Sequence, residues 1–295
     1  MINKIFSEVN SNLYPLISNI ITLSDEREYL FTSEEEFIKI LHNNIVEANK
    51  IYWVEILNRV HSAAFLSLIR NIRWLDSMIL NYDNNNFIGF CSSTRGLLES
   101  SVDSYDTFIK VPISISKSFS SIKKSLHCEQ KDTVYLDSEL EETLIHFTYA
   151  RRLLKNENSP KCHETKSIKK YIEFVDEEEN GSLYQFYSFL CQISHPAAFS
   201  VLAYLKQKQY PTYDICKISP NTDSLNIKNL INLNSENLNA IFEAGLFSSL
   251  ICLKLLNEFN IREYYTKEVN FINFEDSEMW KEVIDNINTQ RTTCG

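Results

Sequence analysis

Apolar residues recur at helical spacing along most of the chain. The longest stripe advances by three or four residues at each step: Ile51, Val54, Leu57, Val60, Ala64, Leu68, Ile72, Leu75 and Ile79. Such a stripe is typical of an amphipathic helix that packs against partner helices. Upstream, Ser33 can cap a helix start and Glu36 can close the capping box. We therefore predict one very long helix that runs from this cap to about Tyr82.

The same spacing predicts several shorter helices. They cover residues 4–21, 87–108, 113–127, 137–155, 183–204, 236–259 and 277–289. Asp137-Ser138-Glu139-Leu-Glu141 is a second capping-box sequence and marks the start of the helix 137–155. Two of these boundaries are marked by proline, which has no backbone N–H and disturbs a helix interior. Val111-Pro112 separates the second helix from the third, and His195-Pro196 interrupts the stretch 183–204.

Residues 210–232 are the only part of the chain with a strand-like pattern. Apolar residues flank the turn sequence Asn221-Thr-Asp223: Tyr213, Ile215 and Ile218 before it, and Leu225, Ile227, Leu230 and Ile231 after it. This pattern predicts a short β-hairpin near 213–231. The expected fold class is therefore mainly all-α, a multi-helix bundle with one very long helix and a short hairpin.

The best candidate for a boundary within the chain is a charged segment that we interpret as a surface connection, residues 156–181. We expect an N-terminal helical part over residues 1–155 and a C-terminal helical part over residues 182–295. The two parts are expected to pack together as one domain.

Composition supports long helices and excludes one large class of nucleotide-binding proteins. The 295 residues include only 5 Gly and 6 Pro, so tight turns are expected to be few. The chain contains neither G-x-G-x-x-G nor G-x-x-x-x-G-K-[ST], the glycine-rich loops that cradle phosphates.

Charge and cysteine content bear on partners and on location. The chain has 29 basic and 39 acidic residues and a formal net charge of -10, so RNA contact needs a local basic patch. Residues 151–170 offer one, with seven basic residues, Arg151 and Arg152 among them, against two Glu. The simplest interpretation of this stretch is a solvated loop and helix end. An RNA-facing patch and a docking segment for a protein partner are the alternatives. Seven Cys without a C-x-x-C pair, no secretory signal and no apolar run of about 18 residues predict a cytoplasmic protein with no membrane contact.

The first group of residues that can carry chemistry is Arg95, Glu99 and Asp103. At i, i+4 and i+8 they share one face of the predicted helix 87–108, and we expect Arg95 to pair with Glu99. A structural ion pair is one interpretation. A polar pocket in which Arg95 binds an anion such as phosphate is the other. Gly96 is unusual inside a helix and would permit close approach of a neighbouring helix or a ligand.

The second candidate is His195, which precedes Pro196 at the predicted helix break. It can act as a general base or donate to a freed carbonyl, or it can be a buried structural histidine. The adjacent pairs His127-Cys128 and Cys162-His163 offer four potential zinc ligands, but their spacing is not that of the usual zinc sites. No metal or cofactor is therefore expected.

The order of these motifs resembles a bacterial family of uncharacterised all-helical proteins. In that family, Arg-x-x-x-Glu on one helix is followed much later by Tyr-x-x-x-[Ser/Cys]-x-x-x-His-[Pro/Gly] on another. The corresponding segments here are Arg95-Gly-Leu-Leu-Glu99 and Tyr187-Ser-Phe-Leu-Cys191-Gln-Ile-Ser-His195-Pro196. The likeness covers roughly residues 45–260. Its layout is similar to the HEPN and abortive-infection proteins of phage defence and toxin systems.

The resemblance implies a helical, commonly dimeric protein that acts in defence or toxicity. Many HEPN proteins cut RNA without metal through an Arg that is followed after 4–6 residues by a His, yet none of the six His here has an Arg at that distance. One hypothesis is therefore a binding or regulatory component, a homodimer with an antitoxin or sensor partner. The alternative is a metal-independent ribonuclease in which His195 is the base, Arg95 stabilises the phosphate and Glu99 orients Arg95. Asp103, Tyr187, Arg151 and Arg152 are the expected binding residues.

Overall fold

Helices make up nearly all of the regular structure. The computed structural model describes residues 2–22, 26–179 and 181–293. The α-helices are α1 (Glu8–Thr22), α2 (Glu34–Asn43), α3 (Ile45–Asp83), α4 (Phe87–Phe108), α5 (Val111–Lys117), α6 (Phe119–Leu126), α7 (Ser138–Tyr149), α8 (Ile168–Glu179), α9 (Leu183–Ser194), α10 (Ala198–Leu202), α11 (Asp223–Leu233), α12 (Ser235–Asn257) and α13 (Glu278–Thr293). Short 3-10 helices cover Ile2–Lys4, Lys161–His163, Arg262–Tyr264 and Lys267–Phe271. The predicted fold class, mainly all-α with a short hairpin, is confirmed.

The very long helix exists, but it begins later than the sequence pattern suggested. Helix α3 has 39 residues, and at the usual rise it is about 58 Å long. Ser33 does cap a helix, since its hydroxyl accepts from the Glu36 N–H, but that helix is the separate α2. The prediction of one unbroken helix is wrong at Asn44, whose backbone is extended. The Asn44 side chain accepts from the Glu47 N–H at 3.1 Å and so caps the start of α3.

The hairpin is present, but it lies about ten residues before its predicted centre. Strands β1 (Leu205–Gln209) and β2 (Asp214–Ile218) are antiparallel, with Leu205 opposite Ile218 and Gln209 opposite Asp214. The turn therefore comprises residues 210–213. The predicted second strand is wrong because Ile227, Leu230 and Ile231 are buried at helical spacing on α11.

Two further boundaries correct the sequence analysis. The segment 156–181 is not only a surface connection, because it contains helix α8, which buries Tyr171, Ile172 and Val175. The apolar stripe of α8 is narrow and is interrupted by many charged residues, so the sequence pattern did not predict a helix here. Helix α7 begins at the predicted Asp137 cap, where the carboxylate accepts from the Leu140 N–H, but it ends at Tyr149 rather than near 155.

The chain forms two compact units, and each is assembled from three separate segments. Unit 1 comprises Met1–Pro15, Ile69–Asp103 and Ser167–Leu246, and unit 2 comprises Leu16–Leu68, Ser104–Lys166 and Phe247–Gly295. Unit 1 has an aromatic contact between Phe6 and Phe242 in its core, with ring centroids 5.1 Å apart. In unit 2, the rings of Phe119 and Phe259 lie 4.6 Å apart. A division of the chain at residues 156–181 stays a prediction.

Helix α12 is the one described helix that is long and apolar enough to cross a membrane. However, 72% of its most apolar window is buried within the fold. The core helix of a soluble protein has this property, because its apolar side chains are covered by neighbouring helices.

Candidate functional site

Unit 1 brings together a group of polar side chains that we call the polar cluster: Arg95, Glu99, Tyr187, Cys191 and His195. Arg95 and Glu99 lie one turn apart on α4. The other three recur every four residues from α9 to its C-terminal cap, so they share one side of that helix. The cluster thus joins the two motifs that were separated by almost 90 residues in the sequence.

The closest contact in the polar cluster joins Arg95 to His195. Arg95 Nη1 lies 2.8 Å from His195 Nε2, in a solvent-exposed position. Because a guanidinium only donates hydrogen bonds, Nε2 of His195 is the acceptor in this contact. The contact therefore holds the basic nitrogen of His195 directly beside a permanent positive charge.

Glu99 forms an ion pair with Arg95 through a different nitrogen from the one that contacts His195. Arg95 Nε lies 3.3 Å from Glu99 Oε1, which confirms the predicted ion pair. This contact is an ion pair without hydrogen-bond geometry, so the buried Nε has no hydrogen-bond acceptor among the described residues. The Arg95 side chain is 26% exposed. The guanidinium thus has one donor that is not satisfied and one edge that solvent can reach.

Tyr187 lies near the carboxylate of this ion pair. Its hydroxyl is close enough to Cys191 and Glu99 for both groups to affect its ionisation. Burial raises the pKa of Tyr187 above the ordinary value, and the neighbouring Cys191 and Glu99 raise it further. The Tyr187 hydroxyl is therefore protonated at neutral pH. Glu99 lies near both Arg95 and Tyr187.

The position of His195 follows from the proline after it. Residues that precede proline disfavour helical backbone angles, and His195 has φ −102° and ψ 159°. Its backbone N–H still donates to the Cys191 carbonyl at 3.0 Å, so it forms the C-cap of α9. The side chain is exposed. The interpretation of His195 as a buried structural histidine is therefore wrong.

Gly96 permits a close contact between α4 and α3. A Cβ atom at this position would lie 2.7 Å from ring atoms of Trp74. The indole therefore packs directly on the backbone beside Arg95. The expectation that Gly96 allows the approach of a neighbouring helix is confirmed.

Asp103, which was expected to share one face of the helix with Arg95 and Glu99, forms an ion pair outside the polar cluster. Its Oδ2 lies 2.6 Å from Arg70 Nη2 of α3. Although Asp103 follows Glu99 by one turn on α4, its carboxylate is therefore engaged by an arginine outside the polar cluster. A role for Asp103 in ligand binding stays a prediction.

The basic stretch 151–170 lies in unit 2 up to Lys166 and is partly neutralised. Arg151 pairs with Glu157, Lys166 with Asp106 and Lys169 with Glu173. The hydrogen bonds from Arg151 lower the pKa of Glu157 to about 2, so the first of these pairs is ionised over the physiological range. Arg152 is exposed. RNA contact through Arg151 and Arg152 stays a prediction, but the usable positive charge is smaller than the residue count implied.

The hairpin carries a basic surface that the sequence analysis overlooked. Lys206 and Lys217 are directly opposite one another, and Lys208 shares their face of the hairpin because alternate residues of a strand point the same way. Within the described chain these three exposed lysines have no carboxylate at ion-pair distance. At the turn, the rings of Tyr210 and Tyr213 stack with centroids 4.8 Å apart. The Lys-Gln-Lys-Gln alternation at 206–209 is the signal that would have revealed this surface.

A second histidine site, in unit 2, also lay outside the sequence analysis. His61 of α3 is fully buried, with Tyr29 Oη 2.7 Å from its Nδ1 and Arg27 Nη1 3.0 Å from its Nε2. Burial lowers the pKa of His61 to about 3, and the charge of Arg27 acts in the same direction. His61 is therefore neutral at physiological pH and serves as a hydrogen-bonding anchor. His61 lies beside the apolar stripe of α3, so nothing in the pattern marked it.

No metal centre is evident in the part of the chain that the structure describes. Over residues 2–22, 26–179 and 181–293, His, Cys, Asp and Glu side chains form no group of three that could hold an ion. His163 instead contacts Ser159, with 3.2 Å between Nδ1 and Oγ.

Comparison of the chain with protein-family models, with curated proteins and with solved structures gives no match. The functional argument therefore depends on the geometry of the polar cluster and on the surfaces around it.

Proposed function

We propose that this protein is a cytoplasmic binding or regulatory component of an antiviral defence or toxin-type system, and that it recognises RNA through the polar cluster. The exposed contact between Arg95 and His195 is the observation that carries the proposal. Arginine is well suited to phosphate recognition because its planar guanidinium presents several donors at once. The defence context comes from the resemblance of the two motifs to abortive-infection proteins.

A phosphate has a clear place to bind beside Arg95. The buried Nε has no acceptor, whereas Nη1 donates to His195 at the solvent-exposed edge. A phosphate oxygen that displaces the imidazole at Nη1 gains a charge-assisted hydrogen bond. The bound phosphate would then lie next to His195, because Arg95 and His195 are in contact before the ligand binds. Glu99 prevents Arg95 from swinging away and so preorganises the donor.

The hairpin supplies the local positive surface that an acidic protein needs for RNA contact. Lys206, Lys208 and Lys217 are in the same unit as the polar cluster, and aromatic side chains lie at the adjacent turn. Lysines that follow a phosphate backbone and aromatic rings that stack on bases are the usual components of single-stranded nucleic-acid sites.

The decisive experiment is RNA binding by single variants at the polar cluster. We expect Arg95→Ala to weaken binding of a single-stranded RNA by at least about tenfold, the effect of losing one charge-assisted contact. His195→Ala should cause a smaller loss, and Arg95→Lys should retain part of the affinity. Fluorescence anisotropy with a labelled oligonucleotide measures these changes.

Arg73→Ala provides the matched control. Arg73 belongs to the same unit and forms an exposed ion pair with Asp76 at 3.4 Å. Its replacement removes an equal charge from a residue that is not part of the polar cluster and should change affinity by less than about twofold. Equal losses for Arg95→Ala and Arg73→Ala would mean that only net charge matters, which contradicts a specific site.

A metal-independent ribonuclease is the second candidate. The observation that favours it is the 2.8 Å distance between Nε2 of His195 and Nη1 of Arg95, which places a base next to the proposed phosphate position. In this reaction Nε2 takes the proton of a 2′-hydroxyl, and the 2′-oxygen forms a bond to the adjacent phosphorus. The bond from phosphorus to the 5′-oxygen breaks, and the leaving oxygen takes a proton from water or from the imidazolium. Arg95 stabilises the additional negative charge on the phosphate oxygens.

This candidate is tested by the products and by their dependence on His195. The expected product has a 2′,3′-cyclic phosphate end, and a 2′-deoxy substitution at the cleaved position should abolish the reaction. Chelators should have no effect, and His195→Ala should remove both RNA cleavage and cellular toxicity. Cleavage that persists in the purified His195→Ala protein would eliminate the ribonuclease hypothesis.

The proposed function also includes protein partners. We infer a homodimer and an antitoxin or sensor protein from the resemblance to abortive-infection proteins. Sedimentation of the purified chain tests self-association, and affinity purification from the native host tests the second partner. A free monomer in both measurements would contradict this part of the proposal.

A further inference from the structure

A groove in unit 1 lies on the side of α9 that faces away from the polar cluster. Its volume is about 610 Å³, which is within the range of small-molecule sites. Tyr187, Cys191 and His195 occupy one side of α9, while Phe186 and Phe189 lie on the other side and line the groove. The groove is therefore a separate feature from the polar cluster, and its function does not depend on RNA recognition.

Aromatic side chains form the walls of this phenylalanine groove. Phe87 and Phe186 are buried at its base, and Phe189 and Phe199 meet edge to face with ring centroids 6.4 Å apart. Phe199 is still 48% exposed. The ring of Phe199 therefore remains in contact with water and is available to a ligand. A flat ligand covers such a ring better than a flexible chain does.

The rim of the groove carries carboxamides whose hydrogen-bonding roles are fixed by the fold. Asn226 donates from Nδ2 to the Ala203 carbonyl at 3.1 Å, so its oxygen is available as an acceptor. Asn237 accepts at Oδ1 from the Ser182 hydroxyl at 2.7 Å, so its NH2 group is available as a donor. Asn229 lies on the same face of α11 as Asn226 and is exposed.

None of the described residues that line the groove has an ionisable side chain. A ligand carboxylate or phosphate would therefore lose its hydration without gaining a counter-charge from the lining. The lining instead combines aromatic faces with both donors and acceptors at the edge. Those features match an uncharged heteroaromatic molecule, since a nucleobase has a stacking face and an edge with donors and acceptors together.

We propose that the phenylalanine groove binds an uncharged planar heteroaromatic ligand of nucleoside size. The ring stacks on the exposed face of Phe199, and the carboxamides of Asn226, Asn229 and Asn237 contact its edge. The groove is thus a candidate site for a small-molecule signal in this protein.

Calorimetric titration with adenosine, guanosine, cytidine and uridine tests the proposal on the intact chain. We expect at least one nucleoside to bind saturably, and Phe199→Ser to raise its Kd by about tenfold, as expected for loss of one stacking partner. Asn229→Ala should also raise the Kd. Val201→Ser is the matched control, because Val201 lies on the same short helix, is 70% exposed and is not part of the lining.

Two comparison ligands test the chemical class. The 5′-monophosphate of the best nucleoside should bind no more tightly than the nucleoside itself, and 1-octanol should not compete. Tighter binding of the monophosphate, or binding of 1-octanol without any nucleoside, would overturn the proposal. So would a dimer that Phe199→Ser dissociates in sedimentation when no nucleoside binds, because the groove would then be covered by a second copy of the chain.

Discussion

At the residue scale, Arg95 has two neighbours of different chemistry, a carboxylate and an imidazole. Glu99 supplies a carboxylate at 3.3 Å, and His195 supplies an imidazole nitrogen as acceptor at 2.8 Å. The carboxylate fixes the guanidinium but also repels any anion that approaches it. Loss of the contact with His195 breaks one hydrogen bond but separates no ion pair. Exchange of His195 for a phosphate oxygen is therefore the least costly way for the polar cluster to admit a ligand.

The repulsion by Glu99 leads to a prediction that separates repulsion of the anion from orientation of Arg95. Glu99→Gln keeps a partner for Tyr187 but removes a negative charge beside the proposed phosphate position. RNA affinity should rise by about fivefold at low salt, the equivalent of ~1 kcal/mol for a partly exposed charge pair. Glu236→Gln, an exposed substitution in the same unit, should give less than half of that gain in the same anisotropy assay. A large loss of affinity in Glu99→Gln would indicate that orientation of Arg95 outweighs repulsion.

The buried His61 predicts acid sensitivity of unit 2. Its pKa falls from 6.5 to about 3 in the fold, so the unfolded chain takes up a proton more readily. The contribution of His61 to stability is complete above pH 6.5 and is lost as the pH falls towards 3. Between pH 6.5 and 4.5 the free energy of unfolding should decrease by about 2–3 kcal/mol from this group.

Denaturant unfolding at the two pH values measures this effect. His61→Gln is the comparison variant, because glutamine retains polar atoms but does not titrate. Its unfolding free energy should depend less on pH than that of the unchanged chain by the amount above. The same pH dependence in both proteins would assign the acid sensitivity to carboxylates and contradict the prediction.

At the scale of elements, asparagine side chains and glycine contacts set where helices end and how closely they pack. Asn44 separates α2 from α3 because its side chain caps the second helix, as described above. Gly245 of α12 lies against α4 in unit 1, where an added Cβ would be 2.3 Å from the Ser101 hydroxyl oxygen. Asn71 also donates to the Gly245 carbonyl at 2.7 Å. Local propensity alone therefore predicts neither the break nor the close approach.

Gly245→Ala should destabilise the protein although alanine is the better helix former. The overlap with Ser101 should cost about 1–3 kcal/mol, which exceeds the ~1 kcal/mol gain in helix propensity. The Ser101 hydroxyl is buried without a hydrogen-bond partner among the described residues, so Ser101→Ala alone should have little effect. The double variant should recover part of the loss, because the clashing oxygen is absent. Thermal unfolding of all four proteins measures this coupling, and strictly additive effects would contradict it.

At the scale of the whole molecule, an acidic chain carries its unpaired positive charge at a few places. The net charge is -10, yet the hairpin presents Lys206, Lys208 and Lys217 on one face without carboxylate partners in the described chain. Binding of a polyanion to such a protein depends on these local groups rather than on the average field.

The hairpin lysines should determine the salt dependence of RNA binding. Replacing all three by glutamine should reduce the slope of log affinity against log salt concentration by about 2, as expected for three lost phosphate contacts on a single strand. Arg151→Gln with Arg152→Gln tests the alternative basic stretch in the same titrations. A slope that changes only in the Arg151 and Arg152 variant would assign the RNA contact to residues 151–170 instead.

The sequence by itself determined the helical nature of the chain and the chemistry of the polar cluster. Helical spacing of apolar residues, few glycines and prolines, and the caps at Ser33 and Asp137 are local signals, and they predicted most of the helices. The spacing of Arg95 with Glu99 likewise predicted their ion pair, since both residues share one helix.

Only the tertiary structure decided which distant residues meet. Arg95 and His195 are 100 positions apart, and no local pattern encodes a contact of that kind. Asp103 pairs with Arg70 of another helix, a contact that spacing on α4 does not encode. The apolar residues after Asn221 form a helix rather than a strand, because packing against other elements outweighed the local pattern. The burial of His61 and the phenylalanine groove could not be predicted from the sequence for the same reason. Burial and cavity shape are properties of the assembled elements, whereas spacing along the chain reports only the elements themselves.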